Sequence, residues 1–296
     1  IDIFFLYFFH ELALIPTFIM VGLWGGRDRS YAAMKMTIYL TVGAMISLVG
    51  LIALYVRSGA RIFDLIALKA HLAAHPLAET VQHNIFGLLV LGLGILVSLW
   101  PLHTWAPLGY GAAPSSNAML HAGVLMKLGH FSIIRVAYEI LPETTRELMP
   151  MAAVLCMFSI VYGGFVAYYA KDTKYVIGYS SSSHMGYVFL GMAALDYISL
   201  SGAVIYMFAH AMATGMLFSM AGWVYDQTHT RDIPSLGGLS NKMPFISACF
   251  VVGCMASIGM PGTVNFVAEV MIIVGSWNKY PLQVVVAVLG IVLTMA

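Results

Sequence analysis

The chain is 296 residues long, 60% of them hydrophobic and only 9% charged, with a mean hydropathy of +0.88, whereas an ordinary soluble domain carries about a quarter charged residues. Fourteen Lys and Arg against thirteen Asp and Glu leave a formal net charge of +1, too small and too evenly spread to favour nucleic acid or an acidic surface as partner. These values exclude a soluble globular domain and describe an integral membrane protein.

A spanning helix needs ~20 apolar residues, and hydropathy with charged punctuation predicts about nine spans. They fall at 1–24, 35–56, 85–108, 114–140, 148–170, 175–195, 199–224, 243–277 and 280–296. The runs are too long and too continuously apolar for the alternating strands of a membrane barrel, so the expected fold class is an all-α polytopic membrane protein. The first span, "IDIFFLYFFHELALIPTFIMVGLW", follows no initiator Met, basic n-region or small-residue cleavage site, so no signal peptide is expected. The last, "LQVVVAVLGIVLTMA", stops inside an apolar run, and both ends are expected to be incomplete.

The longest polar connection, "RSGARIFDLIALKAHLAAHPLAETVQH", separates the second and third spans, and its apolar spacing suits a short surface helix. His71 and His75 are i,i+4 neighbours and His83 follows, but no carboxylate or cysteine sits in matching register, so solvated histidines are favoured over a metal site. Cys156, Cys249 and Cys254 lie in apolar runs without a CxxC pair and read as small core residues. Without a phosphate loop, a cysteine cluster or a haem-type histidine pair, the sequence predicts no redox centre or metal in this chain.

Two spans are interrupted. The third holds "SLWPLHTWAPLGYGAAP", with Pro101, Pro107, Gly109 and Gly111; the eighth holds "ASIGMPGTVNFVAE", with Gly259, Pro261 and Gly262. Proline removes a donor and glycine frees the backbone, so both spans should unwind in mid-membrane. Unwound backbone survives there only under protein or in a wet cavity, and discontinuous helices in matching positions point to an ion path between inverted repeats.

The fourth span carries Lys127 in "MLHAGVLMKLGHFSIIRV", far from either interface. A central Lys or Asp costs roughly +2.5 to +3.5 kcal/mol, so such groups persist where they line a path or pair with one another. Glu11 in the first span and Glu269 after the second break share this setting. A Glu11–Lys127 pair is expected, and separating its members would change the proton affinity of both. Histidines can carry protons between such groups. His184 in "SSSSHMGYV" and His210 in "MFAHAMATGMLF" are read as carriers; His103, in the first break, stands evenly between relay and structural roles, while His121, His10 and His130 lean to structure. Strict alternation puts Arg27, Arg29, Lys35, Lys171, Lys174, Arg231 and Lys242 on one side and Arg57, Arg61, Lys69, Arg146 and Lys279 on the other. The positive-inside rule assigns the first set to the cytoplasm and the chain start to the outside.

"FFHELALIPTFIMVGLWGG", "PLHTWAP", "HAGVLMKLG", "YVIGYSSSSHMGYVFLG", "FAHAMATGMLF" and "GMPGTVNFVAE", in this order, closely resemble the antiporter-like subunit M family of proton-pumping NADH:quinone oxidoreductase, bacterial complex I, whose mitochondrial counterpart is chain 4. Membrane-bound hydrogenases and multisubunit Na⁺/H⁺ antiporters share most of these motifs. The resemblance implies a fourteen-span fold with two inverted five-helix bundles, of which this chain would run from the fifth span into the thirteenth, with about 1–170 as first repeat and 171–296 as part of the second. It assigns Glu11 to the glutamate that pairs with a lysine in the buried switch, Lys127 to the lysine of the span after the first break, His184 and His210 to the central axis, and Glu269 to the terminal acid. It implies proton transfer coupled to quinone reduction, with quinone, flavin and iron–sulfur centres in partner subunits and none here. Neighbouring antiporter-like subunits and lipids are the implied partners, and a bacterial inner membrane the location. One position departs: where most relatives carry a lysine five residues before Pro101 stands Leu96, with Ser98 where a second proline is common. Lys127 could take over that pairing, His103 or His121 could substitute, or the chain could transmit motion without moving a proton. A sodium-binding antiporter subunit, with Ser180 to Ser183 as its only dense oxygen cluster, is the other alternative.

Overall fold

The computed structural model describes residues 2–295; Ile1 and Ala296, the outermost residues of the first and last expected spans, lie outside the described residues. Helix α1 (Ile3–Trp24) opens on Asp2, whose carboxylate accepts from the N–H groups of Phe4 and Phe5 at 2.8 and 3.2 Å, which satisfies donors that a helix start leaves unpaired. α2 (Arg29–Ser58) returns, and α3 (Leu65–Ala74) is the short surface helix expected between the spans, capped by Asp64. The third crossing is interrupted as expected, with α4 (Glu79–Leu96) and α5 (Trp105–Ala112) on either side of the Pro101 segment.

The fourth crossing is one helical run from 115 to 138 in which α6 (Ser115–Leu120) and α7 (Met126–Ser132) are followed by wide π-helical turns at His121–Leu125 and Ile133–Tyr138. α8 (Pro142–Tyr169), α9 (Thr173–Ala193) and α10 (Tyr197–Thr228) follow, the last two capped by Asp172 and Asp196. A short α11 (Leu239–Lys242) precedes the second broken crossing, α12 (Pro244–Ser257) and α13 (Val264–Trp277), whose break holds Gly259 at φ +72 and Gly262 at φ +102. α14 (Pro281–Met295) completes nine crossings among the described residues. These residues form no strand, only isolated bridges between Asp2 and Asp64 and between Asp172 and Asp232.

The connections sort into two ends. At one, Gly26 N–H donates to Ala112 O at 2.9 Å, Arg231 pairs with Asp172 at 3.1 Å and donates to Gly111 O, and Lys174 Nζ donates to Ala113 O at 2.9 Å. At the other, Ile3 N–H donates to Phe63 O at 2.9 Å, Lys69 meets Glu139 at 3.4 Å and Lys279 Nζ reaches Ala194 O at 3.4 Å. The alternation used for the charge reading is therefore the alternation of the fold.

α1, α2, α4, α8 and α10 are long and apolar enough to cross a membrane, and they present Phe4, Phe8, Ile38, Val49, Phe158, Phe208 and many other large apolar side chains outward. Such a surface suits hydrocarbon. α9 is different: every residue from Ser181 to its end is buried, so this helix can be rich in Ser and His without facing lipid. Close backbone approach sets some of the packing. A Cβ on Gly92 would fall 2.5 Å from Gly43 O and 2.6 Å from Ser47 N, which lets α2 and α4 meet backbone to backbone.

Candidate functional site

Lys127 projects from α7, and only 8% of it is exposed. Its Nζ donates to the carbonyl of Ala122, inside the preceding π turn, and meets His210 Nδ1 at 2.7 Å. Wide turns of this kind shift the register of the side chains that follow and recur at functional sites. Here the turn adjoins an ammonium that needs acceptors in a buried setting.

From His210 the polar groups continue across α9 and α10. The His210 and His184 rings stand edge to face with centroids 5.3 Å apart, and His184 is 6.0 Å from the Tyr206 ring. Tyr206 O–H donates to Glu269 Oε1 at 2.9 Å. Lys127, His184, His210, Tyr206 and Glu269 are all buried, and they join the fourth crossing to the second broken one. The Glu269 carboxylate lies directly against Gly259, where any side chain would collide with it. The break thus makes room for the acid.

Tyr206 joins the string although it is not among the candidate residues named from the sequence. The signal was available: it precedes His210 by four residues on the same helix, hence on the same face. Tyr187, three residues after His184, also faces Tyr206 at 6.2 Å and donates to Ala287 O at 2.7 Å.

Glu11 is not brought to Lys127. Its Oε1 accepts from Tyr7 O–H at 3.1 Å, and no ion pair joins it to Lys127 among the described residues. The expected pair is corrected by geometry: a hydroxyl one turn away on α1 holds the acid, and the amine is drawn to α10. His10 and His121 are both buried and within electrostatic range of each other, with His121 also in range of Lys127. His121 packs against the rings of Trp105 and Tyr110 at 5.3 and 5.6 Å.

His103 is buried in the first break, edge-on to Tyr162 at 4.8 Å, and makes no contact with the string. Leu96 is buried, its side chain facing Gly129, so an apolar contact fills this position. Ser98 Oγ meets Ser182 Oγ at 3.3 Å. His10 Nε2, His184 Nδ1, His210 Nε2 and both ring nitrogens of His103, His121 and His130 are buried without a protein hydrogen-bond partner. Native buried polar atoms are rarely left so, and four of these histidines, His121, His130, His184 and His210, lie within electrostatic range of Lys127.

His71 and His75 stack at 4.8 Å, and His71 Nε2 contacts Ser58 O at 3.1 Å. Three serines of α9 spend their hydroxyls on separate carbonyls, Ser180 on Ile177, Ser182 on Gly178 and Ser183 on Ile160, while Ser181 Oγ is buried without a hydrogen-bond partner. At the end assigned to the cytoplasm, a cavity of about 930 Å³ is lined by Arg27, Lys171, Asp172, Lys174, Asp226 and Arg231, among others.

Residues 1–294 match the family described as NADH:quinone oxidoreductase/Mrp antiporter, transmembrane. The chain is similar to NAD(P)H-quinone oxidoreductase chain 4 of Gloeobacter violaceus, 37% identical over 99% of this chain and 56% of that protein. It is similar to NADH-quinone oxidoreductase subunit M of Rickettsia prowazekii, 33% identical over 99% and 59%. Among solved structures it resembles a chain of respiratory complex I from Thermus thermophilus with bound NADH, with a TM-score of 0.94 and 31% identity over 100% of this chain and 62% of that one. The chain thus spans less than two thirds of the length of these relatives.

Proposed function

The chain belongs to the NADH:quinone oxidoreductase/Mrp antiporter transmembrane family, and from that premise we propose that it is a proton-translocating, antiporter-like membrane subunit of a complex I-type enzyme. The observation that carries this reading is the buried string Lys127–His210–His184–Tyr206–Glu269. The Lys127 amine exchanges a proton with His210 Nδ1, His210 with His184, and His184 with the Tyr206 oxygen, whose own hydroxyl proton passes to Glu269. His210 Nε2 and His184 Nδ1 are buried without a protein hydrogen-bond partner, so single waters held by these nitrogens complete the His210–His184–Tyr206 steps.

Protons enter from the charged cavity at the cytoplasmic end and leave beyond Glu269 through the second break. Glu11, held by the Tyr7 hydroxyl, is the switch acid of this site. Quinone reduction in partner subunits drives the transfer; quinone, flavin and iron–sulfur centres belong to them. Other membrane subunits, including antiporter-like ones, and lipids are the partners, in a bacterial inner membrane. In this reading about 1–170 is the first repeat and about 171–296 part of the second, each with one broken crossing. Three of the four hydroxyls of Ser180 to Ser183 are already held by separate carbonyls, which weighs against a sodium site there.

The Leu96–Gly129 contact favours a second reading: a subunit that transmits motion and moves no proton. Tyr206→Phe separates the two, since it keeps the ring and deletes the hydroxyl. In the assembled complex, protons moved per electron should fall by this subunit's share at normal complex abundance, or turnover should stall. An unchanged ratio at unchanged turnover rejects the relay and leaves the motion-transmitting subunit.

A further inference from the structure

A second polar cluster sits at the opposite end of the third crossing and plays no part in the proposed relay. Glu79 is the first residue of α4 and His83 lies four residues on, so both face the same way. Glu147, in the second turn of α8, reaches His83: Glu147 Oε2 is 2.8 Å from His83 Nε2. One ligand atom from each of the three residues lies within 4.8 Å of the others. Next to them Thr144 Oγ1 donates to Gln82 Oε1 at 3.2 Å, which ties the two helix starts together. Arg146, the nearest cation in sequence, is taken by Glu143 at 3.2 Å.

The imidazole orientation decides the chemistry. His83 Nδ1 is 2.8 Å from the Glu79 carbonyl, an acceptor only, so Nδ1 carries the proton. Nε2 then faces a carboxylate at 2.8 Å, and two lone pairs cannot share that contact without a cation. A proton satisfies it, and so does a metal ion. A histidine whose second nitrogen is fixed by a backbone carbonyl is the usual arrangement of a metal ligand, and one imidazole with two carboxylates is a set that Zn²⁺ accepts with water in the remaining position.

We propose that Glu79, His83 and Glu147 form a binding site for a divalent transition-metal ion of the Zn²⁺ type, which clamps α4 to α8. Ligand distances of about 2.0–2.1 Å place tetrahedral donors about 3.3 Å apart, so the ion enters after the His83–Glu147 contact widens by a few tenths of an ångström. Both carboxylates are exposed, and side-chain rotation supplies that movement. The inference is independent of the proton relay.

Titration of the purified full-length chain in detergent with Zn²⁺, in competition with a chromophoric chelator, tests it, and Co²⁺ absorption reports the ligand field. The parent should bind one ion in the micromolar range, and His83→Ala and Glu147→Gln should each weaken binding at least about tenfold. A His71→Ala/His75→Ala chain should bind as the parent does. Failure of the parent to bind at ~100 μM would leave a proton as the shared cation and overturn the proposal, as would loss of binding in the His71/His75 variant or retention of it in folded His83→Ala.

Discussion

Gly259 and Glu269 depend on one another. The glycine holds a left-handed conformation that other residues adopt only under strain, and its missing side chain is the space the carboxylate occupies. Gly259→Ala should cost ~1–3 kcal/mol in thermal unfolding of the detergent-solubilised chain. Combined with Glu269→Ala the cost should be smaller than the sum, because the second change removes the colliding atoms; strict additivity would mean that the two do not meet. At this scale the sequence shows its charges plainly, since Lys127, Glu11 and Glu269 stand out in apolar runs. It does not show their partners. Glu11 and Lys127 were expected to pair on the strength of opposite charge alone, yet a Tyr7 hydroxyl one turn away competes for Glu11 and α10 supplies the acceptor for Lys127. Tyr206 escaped because a tyrosine on an apolar helix looks like packing until the acid that accepts its proton is in place.

Helix ends and breaks were more legible than pairs, because proline and glycine act through the local backbone. The second break falls on its cluster, Gly259, Pro261 and Gly262, but the first holds only Pro101, while Pro107, Gly109 and Gly111 lie inside α5. Proline and glycine alone do not fix a break: Pro16 and Pro150 also sit inside the continuous helices α1 and α8. The π turns on either side of α7 have no comparable signature in "HAGVLMKLGHFSIIRV", since they arise from packing against neighbours. Glycine spacing was similarly ambiguous, and the structure separates close approach from slack. Gly92→Ala should lower the unfolding temperature by an amount equivalent to ~1–3 kcal/mol, as overpacking does, because its Cβ meets the α2 backbone. Gly87→Ala, five residues earlier on α4 with nothing within 4 Å, should leave it unchanged or raise it through better helix propensity. Equal effects from both would contradict backbone contact between α2 and α4.

Across the whole molecule, hydropathy and strict alternation were enough to arrange nine crossings, because a bilayer leaves few options for a polar backbone. What they could not show is the horizontal order: a central α9 shielded from lipid, and a line of polar groups running from α7 through α9 and α10 to α13. Long-range packing creates that line. The distance from Lys127 in one crossing to Glu269 in another is bridged only because Tyr206 and the two histidines converge. Proton pumping by the assembled complex, normalised to electron transfer, with Lys127→Ala beside the parent, is the most direct test of the line as a path. The account predicts a marked fall in protons per electron, or stalled turnover, in the variant; parental values for both would show that Lys127 serves the structure alone and that protons cross elsewhere.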